Sequence, residues 1–182
     1  MKISTIITIP FFSRSEGGRS MDTLDELKLE LLKIPWFRDL KIKHLESIAG
    51  ITHLRRVKAG EVLFREGDKE DNVYIVLEGR VALDMLVLPR GKVRLYTAEA
   101  LEVFGWSSVT PVVHQRTAGA TAVTDAYLAA VDATKLRELC EEDHDLGYVV
   151  MRRLANVVAS RLLVTRLQLL DMFSHPETNN AK

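Results

Sequence analysis

The residues best suited to acid–base or metal chemistry are five histidines: His44, His53, His114, His144 and His175. No two stand at the i, i+2 or i, i+4 spacing that brings metal ligands onto one strand or helix face. Glu141, Glu142, Asp143 and Asp145 form a carboxylate run. It lies where a helix is expected to begin, so capping of that helix accounts for it. No Gly-x-Ser-x-Gly elbow and no Walker-type loop occurs. The sequence therefore predicts no catalytic residues, no metal and no cofactor, and the protein is expected not to be an enzyme. Cys140, the single cysteine, cannot form an intrachain disulfide or a Cys-rich zinc site. Its spacing from Leu136 reads as a small buried residue on a helix. The segment Val103-Phe104-Gly105-Trp106-Ser107-Ser108-Val109 has a different character. A glycine turn followed by small polar residues can aim backbone N–H groups into a cleft, which suits an anion. Eleven positions after Gly105 comes Arg116, at the start of an apolar run. A guanidinium can take a phosphate through two parallel hydrogen bonds. By spacing alone, an arginine on the surface beside a loop is the plainer reading.

Those residues need elements to hold them. The chain has 182 residues, 25 basic and 25 acidic side chains, and 47% hydrophobic residues. That suits one domain with a real core, and zero net charge speaks against a general nucleic-acid binder. Residues 1–20 read as a flexible N-terminal extension, with Ser13 to Ser20 linker-like. The domain is expected over 21–173 and a disordered tail over 174–182. Helical periodicity runs from Asp22 to Leu32, with Asp22 or Thr23 as cap, and from Leu40 to Ala49. Residues 51–131 then show short apolar runs broken by Gly60, Gly67, Gly79 and Pro89-Arg90-Gly91-Lys92. Many short strands at such spacing predict an all-β sandwich or jelly roll, with the Pro89–Lys92 segment as a hairpin turn. Helical pattern returns over 133–173: a short helix, then a long one from Leu146 to about Phe173. Its apolar positions are wider than one core-facing stripe. One face packs on the sandwich while the other meets a partner chain, or the whole stripe is buried in the monomer. No segment approaches the ~20 apolar residues of a membrane span, and the lone thiol suggests a reducing compartment, so a cytoplasmic location is expected.

Taken in order, Gly60-Glu61-Val62-Leu63-Phe64-Arg65-Glu66-Gly67-Asp68, Tyr74-Ile75-Val76-Leu77-Glu78-Gly79-Arg80-Val81, Phe104-Gly105 and Arg116-Thr117-Ala118 resemble the cyclic-nucleotide-binding domain. That sensor family includes the catabolite activator protein group and kinase regulatory subunits. The resemblance covers about residues 24–173 and implies a mainly β jelly roll, with N-terminal helices and a long C-terminal helix. It implies a non-catalytic ligand-sensing regulatory module whose ligand is cyclic AMP, cyclic GMP or another small anion. Gly105, Trp106, Ser107, Ser108, Arg116 and Thr117 become its candidate ligand-binding residues. Arg116 would grip the phosphate, and Ser107, Ser108 and Thr117 would donate from hydroxyls. The family pattern has glutamate after this glycine, accepting from the ribose 2′-OH; this chain has Trp106. Indole N–H only donates. Losing one such bond costs about 1–3 kcal/mol, or roughly ten- to a hundredfold in affinity. Three outcomes stay open: weak cyclic-nucleotide binding, another small anion, or a ligand-free interaction subunit with Trp106 filling the pocket. The resemblance also implies a homodimer through Leu146–Phe173 and a protein partner. The family's DNA-reading domain follows this helix, and the nine residues after Phe173 are too few for a helix-turn-helix reader, so no direct DNA binding is expected. Arg152, Arg153, Arg161 and Arg166 on the same helix read as a solvated face.

Overall fold

The computed structural model describes residues 21–38, 40–69, 71–110 and 115–174. The expected N-terminal extension, His114, His175 and the last eight residues lie outside them. Two helices, α1 (Met21–Lys33) and α2 (Ile42–Gly50), precede eight strands: β1 (Thr52–Val57), β2 (Val62–Phe64), β3 (Asn72–Glu78), β4 (Val81–Val87), β5 (Gly91–Ala98), β6 (Val103–Phe104), β7 (Gly119–Ala122) and β8 (Ala126–Asp132). Helices α3 (Ala133–Glu142) and α4 (His144–Ser174) follow. The strands pair antiparallel into two four-stranded sheets, ordered β1-β8-β3-β6 and β2-β7-β4-β5. This is the expected jelly roll. The expected caps Asp22 and Thr23 fall inside α1, and Ser174, read from the sequence as tail, belongs to α4.

Three layers explain why the middle strands read as unbroken apolar runs. The first sheet has helices on one face and the second sheet on the other, so both its faces are buried. Val73 and Ile75 of β3, with Ala129 and Val131 of β8, pack under the helices against Leu31, Phe37, Leu136 and Leu146. The alternate residues Tyr74, Val76, Leu128 and Ala130 fill the sandwich with Phe64 and Phe104. Strand pleat sends neighbours to opposite faces, so one sequence run serves two cores. Three rings form the centre of the sandwich: Tyr74 and Phe104 stack at 5.1 Å, with Phe64 6.0 and 6.3 Å from them.

The start of α4 is tied to α2 by charge. Asp143 accepts from the Leu146 N–H at 3.1 Å, capping α4. Its other oxygen meets Lys43 Nζ at 2.7 Å and His44 Nε2 at 3.1 Å. Lys41 pairs with Asp145 at 2.8 Å. Part of the carboxylate run thus does cap, as expected, but it also clamps two helices. Lys43 and the capping N–H hold the Asp143 carboxyl well below the usual carboxylate range. Among the described residues of α4, the buried apolar side chains are Leu146, Val150 and Leu154, with Val157 partly covered. From Val158 to Leu170 its apolar residues are exposed, Leu163 (59%) and Leu167 (57%) more than half. The wide stripe is therefore not buried in the monomer.

Candidate functional site

Strand β6 ends at Phe104, which is fully buried. Gly105 then turns the chain with φ 70° and ψ 16° and starts a single 3-10 turn, Trp106–Val109. That left-handed conformation strains any residue with a Cβ. Space makes a second demand. A Cβ at Gly105 would lie 2.8 Å from Arg116 Nη1 and 3.2 Å from the Asn72 carbonyl oxygen.

Arg116 arrives from the opposite side. Its N–H donates to Asp68 O at 2.9 Å and its carbonyl accepts from Gly67 N–H at 2.8 Å, so its backbone is fixed to the β2–β3 loop. The side chain is 2% exposed. Nη1 donates to Gly105 O and Nη2 to Asn72 O, both at 2.7 Å. The guanidinium lies over the Phe64 ring, 4.2 Å from its centroid. Carbonyl oxygens, ring face and cation together offset the cost of burying this charge. Arg116 is not a surface arginine, and it fastens β3 to the Gly105 turn.

Gly105, Trp106, Ser107, Arg116 and Thr117 line one cavity of about 170 Å³. Ser108 does not line it. Its hydroxyl folds back onto Gly105 O at 3.1 Å, because the 3-10 turn directs it toward the backbone it caps. Trp106 is half-buried. It packs against the helix-side core and forms one wall of the cavity without filling it. Ser107 is buried and Thr117 exposed.

The cavity has walls the sequence did not announce. Phe64, Leu83, Leu95, Tyr96 and Val103 supply apolar surface, and α4 closes one side with Arg161, Val164 and Thr165. The expectation of a solvated arginine face fails at Arg161. Its side chain is 21% exposed, and its guanidinium carbon sits 3.1 Å from the Tyr96 ring centroid. Burial lowers its pKa to about 10, which leaves it cationic at neutral pH. Glu102 stands 3.7 Å from its Nη2. Arg152 and Arg166 are exposed as expected, and Arg153 is half-buried. The i, i+3, i+4 spacing of Arg161, Val164 and Thr165 puts them on one helix face. Only the docking of α4 reveals that this face meets a cavity.

Among the described residues no group of three or more His, Cys, Asp or Glu is arranged to hold a metal ion. Half-burial raises the Cys140 thiol to about 11, so it stays protonated and unreactive at neutral pH.

Residues 54–143 match the family model for the cyclic nucleotide-binding domain, across the sandwich and into α3. This part of the chain is a cyclic nucleotide-binding domain. Among solved structures, a protein from Geobacter metallireducens assigned as cyclic nucleotide-binding is 28% identical, with a TM-score of 0.65. That likeness covers 77% of this chain and 98% of the other. The catabolite activator protein of Thermus thermophilus is 27% identical with a TM-score of 0.62, over 77% of this chain and 63% of that one. Among curated proteins, one assigned as a potassium channel in Rhodopseudomonas palustris is 27% identical over 130 residues. The match takes in 71% of this chain but only 30% of that relative's length. The cyclic nucleotide-binding domain of this chain thus recurs as a near-complete chain and as a part of larger proteins. No helix among its described residues is long and apolar enough to cross a membrane.

Proposed function

We propose that the chain is a non-catalytic, cytoplasmic regulatory module. It takes a small anionic ligand, a cyclic nucleotide or an anion of that size, into the cavity between Gly105 and Arg116. It passes that event to a partner protein through α4. The observation that carries the reading is the shared cavity: Gly105, Trp106, Ser107 and Arg116 line the same space as Arg161, Val164 and Thr165 of α4. A ligand there contacts sandwich and helix at once, so its affinity depends on where the helix lies. At 3.6 residues per turn, Leu163, Leu167 and Leu170 fall on the side of α4 away from that face. All three are more than half exposed. A second copy of the chain would cover them, which makes α4 a helix with a ligand face and a dimer face.

The experiment is calorimetric titration of cyclic AMP and cyclic GMP into the purified chain and into Arg116→Ala, with melting temperature recorded in parallel. Heat and a raised melting temperature in the wild type, both reduced in the variant, are the expected result. The rival reading, a ligand-free interaction subunit, draws on Arg116 being bonded to Gly105 and Asn72. It would gain if neither nucleotide nor any small anion gave heat.

A further inference from the structure

Two guanidinium groups line the cavity of the proposed sensing module, and they are held differently. Arg116 is 2% exposed, with both terminal nitrogens already donating at 2.7 Å to main-chain carbonyls. Turning it toward a ligand would break both of these short charge-assisted bonds and leave the two carbonyls only their longer contacts with Ser108, a costly exchange. Arg161 stands otherwise. Its guanidinium carbon lies over the Tyr96 ring, a contact with a ring face and not with a hydrogen-bond acceptor. The Glu102 carboxylate is 3.7 Å away, beyond hydrogen-bonding reach. Glu102 is also satisfied without it: the Tyr96 hydroxyl donates to Oε1, and the Glu99 N–H donates to Oε2 at 2.8 Å. A half-buried guanidinium beside apolar walls gives an anion a stronger charge-assisted bond than one in water.

The other walls decide the body of the ligand. Phe64, Leu83, Leu95, Trp106 and Val164 line the cavity, and no carboxylate does. Trp106 offers the cavity an aromatic surface and no acceptor, so a sugar hydroxyl finds no partner on it while an apolar group does. We infer that the cavity receives a small organic anion with an aromatic or aliphatic body, its charged group held by Arg161 of α4 and not by Arg116. This rests on the sensing-module reading and sharpens it. The anion then bonds to the moving helix itself, while Arg116 keeps the Gly105 turn in shape.

The test uses the full chain and calorimetry with benzoate, 2-naphthoate, phenyl phosphate, the neutral analogue 2-naphthylmethanol, and cyclic AMP. The variants are Arg161→Gln and Arg161→Lys, each checked for an unchanged melting profile. At least one aryl anion is expected to bind the wild type, with 2-naphthylmethanol about tenfold weaker or worse than 2-naphthoate. Arg161→Gln should weaken the anion by about tenfold or more, and Arg161→Lys, which keeps the charge, should recover part of the loss. Aryl-anion binding that is equally tight in Arg161→Gln overturns the inference. So does cyclic AMP binding that ignores Arg161, although the sensing module then stands. No heat from any anion or nucleotide in the wild type overturns both.

Discussion

Gly105 and Arg116 depend on each other at the level of single atoms. The glycine's φ of 70° and the 2.8 Å gap between a would-be Cβ and Arg116 Nη1 mean that any side chain at 105 meets backbone strain and the guanidinium together. Gly105→Ala is expected to cost about 1–2 kcal/mol from the left-handed backbone alone, with a further loss as Arg116 is displaced. A denaturant midpoint unchanged from wild type would contradict this. The pairing was only half visible in the sequence. Glycine before small polar residues marked a turn, and the Phe104-Gly105 and Arg116-Thr117-Ala118 pieces singled out both ends. Nothing in the local sequence indicated that Arg116 bonds to carbonyls instead of an external anion, because Asn72 O, its second partner, is 44 residues away. Arg161 was missed for the same reason. Its neighbours along the helix are ordinary, and its importance comes from Tyr96 on another element.

At the scale of elements, strands such as β3 and β8 were legible because each is a short apolar run bounded by turn residues. The two-sided burial of β3 and β8 made their runs denser still. The 3-10 turn at Trp106–Val109 read only as a short turn, since four residues carry no periodicity. The junction of α2 with α4 also escaped. Lys41, Lys43 and His44 belong to a solvent-facing pattern until Asp143 and Asp145 are brought against them, about 100 residues on in the chain. This clamp should titrate with a definite sign. The Asp143 carboxyl is depressed in the fold, chiefly by Lys43 and the Leu146 N–H. Its contribution is therefore complete above the unfolded carboxyl pKa of about 3.9 and is lost as pH falls toward its lower folded value. Asp143→Asn can still cap α4 but carries no charge. Wild type should be the more stable at pH 7, and the gap should narrow below about pH 4. Denaturation curves at a series of pH values would show it, and a gap constant down to about pH 2 would count against the clamp.

At the scale of the molecule, the fold works as a rigid sandwich with one long helix leaning across its cavity. α4 is well buried only over its first half, up to Val157. The second half touches the cavity on one side and presents Leu163, Leu167 and Leu170 on the other. Burying that stripe in a second copy would remove apolar surface worth about 25 cal/mol per Å². Leu163→Glu with Leu167→Glu should therefore shift sedimentation from dimer to monomer while leaving the melting of the sandwich in place. A monomeric wild type would remove the dimer from the account. The central claim is that an anion in the cavity and the position of α4 are coupled, and amide hydrogen exchange over residues 157–170 reads that coupling most directly. With 2-naphthoate or cyclic AMP bound at a calorimetrically verified occupancy, exchange in this half of α4 should slow relative to the ligand-free chain, and the Arg161→Gln variant should show less slowing. Exchange that stays unchanged along α4 while calorimetry reports a filled cavity would contradict the claim.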